Sequence, residues 1–595
     1  MPSGWFPSAW SSLSDKGAFV KSVALIFAGL AAFAAAAGEI EDRFIYVGGG
    51  IGNDRQVDET ISLVHRAAKQ GFNGIVLQGD IQYLWMASAR ERANLARLKS
   101  ACDEAGMDLV PAIWSIGYGT MLWANPNLAA GLPVFDVPYE VSADGSKAVF
   151  RPSPDAIVAN GDFEDVVPAK DGKGFKVPGW FVDTPGEMCF VDKDVKASGR
   201  QSLRFELSVS GRRKDPQARA CRTIKVRPNS RYRVTAKLKT EGLDTTYGFQ
   251  IVIYTKPGRG EASGMTRQLT SNRPRIKMTN DWMDMTAEIS TLDYTELDVF
   301  LGSWQARAGR FWLDDVKVSE LGADRLLRRP GCPFTVRDAK TGQQYEEGRD
   351  FAEVPPLKKG QEKLPRENGA IVLSVPAGSR LKPGARLLVS GYASHRMKSD
   401  SQVSVCMSEP ELYRLFEKSA AAIEAAIHPR KWFLPLDEVR AGGTCAACRA
   451  RNTDMAHIFG DCVTKQYKTI KRVSPNATVY MWGDQIDPKM NARDGVCMCR
   501  GTFAGSVDLV PKGIVVMHWG GGVADRLNFF HEKGFRTARS RCIDGKWENG
   551  VPASVTNDYR IACETPGCCG FMYTTWNRDY SQEKLNAFGH LWGGR

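Results

Sequence analysis

The chain has 595 residues, of which 43% are hydrophobic and 25% are charged, which is the composition of an ordinary globular protein. This length exceeds what one hydrophobic core supports, so we expect roughly two to four domains. The net charge of +12 is spread along the chain without a long basic run. The sequence therefore favours a neutral or anionic partner and gives no indication of nucleic acid binding.

Residues 1–37 have the pattern of a signal peptide. Lys16 and Lys21 precede an apolar stretch, residues 23–37, whose last alanines fit a cleavage site before Gly38. The stretch has about 15 residues, whereas a membrane-spanning helix needs roughly 20. We therefore predict an exported protein (periplasmic, secreted or at the cell surface) that keeps no stable membrane span after cleavage.

Residues 38–120 alternate short apolar strands with single amphipathic helices. The predicted strands are residues 44–47, 74–77 and 107–114, and a segment with helical periodicity separates each strand from the next. Such alternation is typical of parallel strands joined by helical crossovers. It predicts the first part of a barrel, with strands 1–3.

The helical periodicity disappears at about residue 155. Residues 155–320 show runs of alternating apolar and polar residues separated by turn residues, for example residues 232–238, and this pattern predicts an antiparallel β-sandwich. Residues 321–397 are rich in Pro, Gly and Lys and contain two further strand candidates. They predict a small β appendage.

Helical periodicity returns in residues 398–595. Five strand candidates follow, most of them separated by helix-length segments: residues 432–436, 478–482, 513–519, 535–538 and 571–576. With the first three they make eight. The predicted fold class is therefore α/β: a (β/α)8 TIM barrel interrupted after strand 3 by a β-sandwich (jelly-roll) insertion and a small β appendage.

The 14 cysteines are unevenly distributed, and ten of them lie between Cys406 and Cys569. Three close spacings would allow zinc ligation: Cys445-x-x-Cys448, Cys497-x-Cys499 and the vicinal Cys568-Cys569. No finger-like His spacing accompanies them. Because the predicted compartment is oxidising, disulfide bonds are the favoured interpretation, with a structural metal site and free buried thiols as alternatives.

Two adjacent carboxylates, Asp437 and Glu438, follow the strand candidate at residues 432–436. The C-terminal ends of parallel barrel strands carry catalytic residues, so we predict that this pair is catalytic. Residues near the ends of the later strands form the predicted substrate-binding set: Arg440, Trp482, Asp484, His518, Trp519, Tyr573 and Trp576. Each has a structural alternative when taken alone, because a Trp after a strand is more often core and a lone His is more often structural.

Aromatic residues around paired carboxylates suit a sugar. Flat sugar faces pack on aromatic rings, and glycosidic cleavage needs an acid and an anion that stabilises an oxocarbenium-like transition state. The sequence therefore predicts a glycoside hydrolase with a poly- or oligosaccharide substrate and no cofactor for catalysis.

The mechanism depends on a second carboxylate. A retaining enzyme places it about 5 Å from the first, but the predicted seventh strand is followed by no acid until Asp544. This favours a substrate-assisted mechanism, in which the substrate's 2-acetamido oxygen attacks, Asp437 orients and stabilises that group, and Glu438 protonates the leaving oxygen. The alternative is a glycosidase of other specificity that uses Glu438 with Asp484.

The predicted barrel resembles the β-N-acetylhexosaminidases of glycoside hydrolase family 20. In that family an Asp-Glu pair ends the fourth strand and tryptophans from later strands wall the acetamido pocket. Asp437, Glu438, Trp482, Trp519 and Trp576 stand at matching places. The resemblance implies release of a terminal N-acetylhexosamine by a retaining mechanism. The family's arginine after the first strand is absent here, which leaves a non-catalytic glycan-binding protein as a further alternative.

The predicted sandwich is similar to carbohydrate-binding jelly rolls of the family 4/9 type. The segments that carry this resemblance are residues 160–164, 178–180, 198–203 and 312–316. The resemblance implies a glycan-binding fold, and it implies that Glu164 and Asp315 lie near a structural calcium ion.

Overall fold

The structure is a computed structural model that describes residues 40–152, 158–170, 172, 174–207, 217–255, 268–272, 274–361, 369–397, 402–543 and 551–593. The predicted signal peptide, residues 1–37, lies outside these described residues. Within them, no helix combines the length and the apolar character that crossing a membrane requires.

The first part of the chain alternates three strands with two helices, as predicted. The elements are β1 (Asp42–Gly48), α1 (Asp54–Ala68), β2 (Gly74–Gln78), α2 (Ala89–Glu104) and β3 (Asp108–Ala112). The three strands pair in parallel. Ser88 and Glu91 form a capping box at the start of α2, in which each side chain accepts a hydrogen bond from the other residue's backbone N–H.

The middle of the chain consists of strands. They are β4 (Leu132–Val141), β5 (Lys147–Phe150), β6 (Val167–Pro168), β7 (Phe175–Lys176), β8 (Phe181–Val182), β9 (Cys189–Asp192), β10 (Ser202–Glu206), β11 (Ala218–Lys225), β12 (Arg231–Glu241), β13 (Phe249–Thr255), β14 (Gln268–Asn272), β15 (Asn280–Ser290), β16 (Glu296–Ser303), β17 (Arg310–Glu320), β18 (Thr335–Asp338), β19 (Gln344–Tyr345), β20 (Leu373–Ser374) and β21 (Arg386–Ala393).

Two five-stranded antiparallel sheets enclose one apolar core. Their strand orders are β15-β12-β17-β10-β9 and β14-β13-β16-β11-β8. Phe205 stacks on Phe311 with ring centroids 4.6 Å apart, and Phe249 meets Phe311 edge to face from the other sheet. The alternating pattern read from the sequence thus supplies the buried faces of both sheets.

A separate six-stranded sheet has the order β19-β18-β21-β4-β5-β20. Strands β4 and β5 precede the sandwich and the other four follow it, so this sheet is assembled from both sides of the insertion. A Cβ added to Gly322 would lie 2.8 Å from the Phe150 ring, which shows that the chain leaves this sheet and returns to it at adjacent points.

The last part of the chain supplies the remaining barrel elements. They are α3 (Pro410–Ile427), β22 (Lys431–Leu434), β23 (Ala441–Gly442), α4 (Ala446–Ala450), α5 (Met455–Val473), β24 (Thr478–Trp482), β25 (Met498–Cys499), β26 (Ile514–His518), α6 (Val523–Glu532), β27 (Arg536–Cys542), α7 (Ala553–Glu564), β28 (Cys568–Thr574) and α8 (Gln582–Leu591). The strands close into a barrel in the order β1-β2-β3-β22-β24-β26-β27-β28, and they pair in parallel.

Strand alternation decides which side chains enter the barrel. Tyr46, Phe433 and Trp482 belong to the interior cluster, whereas Trp432 and Tyr573 pack in the layer between the strands and the helices. The polar seventh strand has a specific cause. Arg539 of β27 is buried and forms an ion pair with Asp558 of α7 at 2.7 Å. It also donates to the backbone oxygens of His518, at the end of β26, and of Gly520.

The structure does not show the predicted disulfide bonds at Cys406, Cys445 and Cys448, whose thiols are free. The sulfur atoms of Cys406 and Cys445, for example, are 3.5 Å apart, whereas a disulfide bond is about 2 Å long.

Candidate functional site

Three carboxylates meet at the C-terminal end of the barrel. Asp437 and Glu438 follow β22, and Asp484 begins a short 3-10 turn directly after β24. The backbone N–H of Glu438 donates to Asp484 Oδ2 at 3.0 Å, and the N–H of Val439 donates to Gln485 Oε1 at 3.0 Å. The end of one strand therefore holds the carboxylate-bearing loop of its neighbour in place.

The backbone of Glu438 has a left-handed conformation, with φ of 50°. A non-glycine residue there costs about 1–3 kcal/mol, so surrounding contacts must fix it. Gln402 donates to the Glu438 carbonyl oxygen at 2.9 Å. A Cβ added to Gly117 would lie 2.1 Å from the Asp437 carbonyl oxygen, so the segment after β3 packs directly on the carboxylate pair.

The Glu438 side chain lies between two hydrogen-bond donors. Arg440 Nη2 is 2.7 Å from Glu438 Oε1, and the hydroxyl of Tyr118 donates to Glu438 Oε2. Burial and the neighbouring Glu438 and Asp437 raise the pKa of Tyr118, so its hydroxyl keeps the proton that it donates. These contacts stabilise Glu438 as an anion.

Asp437 has the opposite electrostatic setting. Burial raises its pKa well above the usual value, and the nearby negative charges of Asp484 and Glu438 raise it further. Tyr46, inside the barrel, is close enough for the charge of Asp437 to contribute to the raised pKa of its phenol, although burial is the larger cause. Of the adjacent pair, Asp437 is therefore the carboxyl whose surroundings favour the protonated form.

Asp484 is 1% exposed and accepts three hydrogen bonds. Besides the Glu438 N–H, it accepts hydrogen bonds from Asn491 Nδ2 at 2.8 Å and Trp519 Nε1 at 3.3 Å. Burial raises its pKa to about 6. This geometry makes Asp484 a residue that positions the Glu438 backbone and the Trp519 ring.

Aromatic residues lie below and beside the carboxylates. Tyr46 is 5.9 Å from Trp482 and 5.8 Å from Trp576, measured between ring centroids. Trp482 is 3% exposed and forms part of the barrel interior, whereas Trp576 is 60% exposed and Trp519 39%. The exposed indoles thus offer surfaces on which a flat ligand face can stack.

Two predicted residues are turned away from this cluster. His518 is buried, and its Nε2 is 3.2 Å from the Gly521 carbonyl oxygen. Burial lowers its pKa to about 4, so it is neutral at pH 7. Tyr573 donates its hydroxyl to the Asp579 carbonyl oxygen at 2.6 Å and packs on Phe588.

Four residues of the site were not predicted. Tyr118 and Gln402 lie in segments before and after the insertion, and Asn491 lies in the loop after β24. Tyr46 is the one that its sequence position would have revealed, because it alternates with Phe44 on the inward face of β1.

The two carboxylates that the resemblance places near a calcium ion each contact other groups of the protein. Glu164 accepts hydrogen bonds from the backbone N–H groups of Arg200 and Gln201 and forms an ion pair with the Arg200 side chain at 2.9 Å. Asp315 pairs with Lys317 at 3.2 Å. The calcium ion near these two carboxylates remains a prediction.

No family model matches the sequence, and no curated protein matches it significantly. Among solved structures, a family 16 carbohydrate-binding module is similar at 16% identity over 27% of this chain and 97% of that chain, with a TM-score of 0.19. A xylan-binding domain from Paenibacillus barcinonensis is similar at 15% identity over 25% and 90% of the two chains, with a TM-score of 0.19. A rhamnosidase from a Novosphingobium species is similar at 10% identity over 91% of this chain and 56% of that chain, with a TM-score of 0.31. At these TM-scores the similarities assign neither a family nor a ligand to this chain.

Proposed function

We propose that this protein is an exported glycoside hydrolase that cleaves a poly- or oligosaccharide at the C-terminal end of its barrel. The observation that supports it most is the meeting of Asp437, Glu438 and Asp484 beside the exposed indole of Trp519, with the exposed indole of Trp576 packed against Tyr46. Acidic and anionic carboxyl groups beside aromatic surfaces supply what glycosidic cleavage requires.

The electrostatics favour a division of roles between the adjacent carboxylates. Asp437, whose protonated form is favoured by burial and by neighbouring negative charge, is the proposed general acid. Glu438, which contacts Arg440 and Tyr118, is the proposed anion that stabilises the oxocarbenium-like transition state. This reverses the roles that the family resemblance implies for the pair.

The finer proposal is release of a terminal N-acetylhexosamine with assistance from the substrate. Asp484 could attack the sugar only by giving up hydrogen bonds from Glu438, Asn491 and Trp519. Those contacts disfavour it as the nucleophile, and they support attack by the substrate's 2-acetamido oxygen, with the Glu438 anion accepting the acetamido N–H.

A leaving-group comparison tests the roles. On a disaccharide, Asp437→Asn should lower kcat about 10²–10⁴-fold, the usual contribution of a general acid, and it should lose much less on a dinitrophenyl glycoside, which departs without a proton. Glu438→Gln should lose activity on both substrates, and the exposed control Glu59→Gln on neither. Selective rescue of Glu438→Gln by the dinitrophenyl substrate would instead restore the roles implied by the resemblance.

Substrate class is tested with paired aryl glycosides that carry or lack the 2-acetamido group. Equal turnover of both would exclude the substrate-assisted mechanism while leaving a glycosidase. Glycan binding by calorimetry without product across a broad panel would contradict the hydrolase proposal and identify a glycan-binding protein.

A further inference from the structure

Three buried cysteine sulfurs lie together near the site described above but separate from it. Cys406 Sγ is 3.5 Å from Cys445 Sγ and 3.6 Å from Cys448 Sγ, and all three sulfurs lie within 4.8 Å of one another. Among the residues that the structure describes, this is the group of His, Cys, Asp and Glu side chains whose geometry suits a metal ion.

A fourth cysteine adjoins the group. Cys332 is buried, and its thiol is in hydrogen-bond contact with Cys445. A Cβ added to Gly131 would lie 2.9 Å from Cys332 Sγ and 3.1 Å from Cys445 Cβ, so one small residue adjoins both cysteines and leaves room for them. Cys332 thus adjoins the three-sulfur group through Cys445.

We propose that Cys332, Cys406, Cys445 and Cys448 bind a Zn²⁺ ion in a tetrahedral tetrathiolate site. Zinc–sulfur bonds of about 2.3 Å in a tetrahedron place the sulfurs about 3.8 Å apart, close to the 3.5 and 3.6 Å found here. The Cys445-x-x-Cys448 spacing is that of a zinc knuckle. Because this cluster lies apart from the carboxylates, the inference does not depend on the proposed hydrolase activity.

Zinc binds cysteine as the thiolate, so binding of the ion to this cluster would release the protons of the four thiols. The divalent charge of the ion would then stabilise the four thiolates together.

Arg329 supplies part of the charge that a tetrathiolate zinc site needs. Its side chain is 6% exposed and lies close enough to Cys406, Cys332 and Cys445 to interact with them electrostatically. It forms an ion pair with Glu409 and donates to the Ala129 carbonyl oxygen at 2.9 Å, while its buried Nε has no hydrogen-bond partner. Zinc-bound thiolates beside it would partly neutralise that charge.

The ligands come from separate parts of the chain. Cys332 precedes β18 of the appendage sheet, Cys406 precedes α3 of the barrel, and Cys445 and Cys448 belong to the segment that follows Asp437–Arg440. A zinc ion would tie the appendage to the barrel loop that continues from the carboxylate pair. Its expected role is structural, since four protein ligands leave no open position for a substrate.

The first test is the metal content of the full chain, purified without added chelator and measured by inductively coupled plasma mass spectrometry. We expect one zinc per chain, and X-ray absorption at the zinc edge should show four sulfur ligands at about 2.3 Å. Iron in place of zinc, or disulfide-linked peptides joining these cysteines, would overturn the proposal without reference to any activity.

Variants provide the second test. Cys406→Ser and Cys448→Ser should reduce bound zinc to background, whereas Cys563→Ser, a matched change on α7 outside the cluster, should retain it. If a ligand variant does not fold, the absorption spectrum of the wild type still decides the case. Full zinc retention by both ligand variants would show that the ion sits elsewhere and would overturn the assignment.

Discussion

Removing the positive charge of Arg440 gives the sharpest test of how the carboxylates work. Arg440 Nη2 lies 2.7 Å from Glu438 Oε1, and both side chains are largely shielded from solvent, with 21% and 17% of their surfaces exposed. A hydrogen bond to a charged partner in such a setting is worth about 1.5–3 kcal/mol. Arg440→Gln should therefore make protonation of Glu438 easier by that amount.

The shift should appear in the pH dependence of kcat/KM. Since about 1.36 kcal/mol corresponds to one pH unit, the change amounts to roughly one to two units. If Glu438 acts as an anion, its earlier protonation moves the acidic limb of the profile to higher pH and narrows the active range. Arg440→Lys, which keeps the positive charge, is the matched control and should move the limb much less.

The direction of the shift separates the two role assignments. If Glu438 were the general acid, loss of Arg440 would instead extend activity on the alkaline side, because the acid would keep its proton to higher pH. An acidic limb that stays in place in Arg440→Gln, at unchanged thermal stability, would refute the proposed role of Glu438 as the anion.

Three further predictions concern the residues around the pair. Burial raises the pKa of Asp484 from 3.8 to about 6, so its stabilising contribution is complete below pH 3.8 and is lost as the pH rises through 6. Relative to Asp484→Asn, the wild type should lose about 3 kcal/mol of its free energy of unfolding over that interval. A stability difference between the two proteins that is the same at pH 4 and pH 7 would contradict this. Gly117→Ala places a Cβ 2.1 Å from the Asp437 carbonyl oxygen and should cost about 1–3 kcal/mol of stability together with most activity, whereas Gly521→Ala, in open space, should cost little. Trp576→Ala should raise KM about three- to tenfold without lowering the melting temperature, because a stacking contact is worth about 0.5–1.5 kcal/mol. The buried Trp482→Ala should instead destabilise the fold by about 3–5 kcal/mol, and a Trp576→Ala variant with unchanged KM would remove that residue from the site.

The sequence predicts the barrel well because its signals are local. Single helices separate β1, β2 and β3. The capping interaction of Ser88 with Glu91, which marks the start of a helix, spans a single helical turn. The appendage is harder to predict because its pairing is long-range. Strand β4 pairs with β21, and some 240 residues of chain separate the two strands. No local sequence pattern therefore predicts that they pair.

The candidate site is likewise predictable only where the signal is local. The sequence predicts the pair Asp437-Glu438 because two acids directly after a buried strand are unusual, and it predicts Asp484 because that acid also follows a buried strand. The sequence also places His518 and Tyr573 in the site, because it does not fix which alternate residues of a buried strand face inward. Their neighbours Met517 and Met572 occupy the interior, which turns both polar residues outward.

The cluster of Cys406, Cys445 and Cys448 differs from what an oxidising compartment predicts for cysteines. The expected oxidising compartment favoured disulfides, but the fold gathers Cys406, Cys445 and Cys448 into a group of comparable separations rather than into bonded pairs. Sequence spacing alone could link Cys445 with Cys448. It could not place Cys406, which lies 39 residues away from Cys445.

The adjacency of Phe150 and Gly322 bears on how this architecture arose. A domain whose two ends lie side by side can be gained or exchanged at one point of the chain, and the remaining domains would keep their connectivity. Here such an exchange faces one obstacle. Arg231 and Glu288 of the sandwich form buried ion pairs with Asp324 and Arg325 of the return segment. A transplanted module would therefore have to bring matching charges, because a buried charge left without its partner is strongly destabilising.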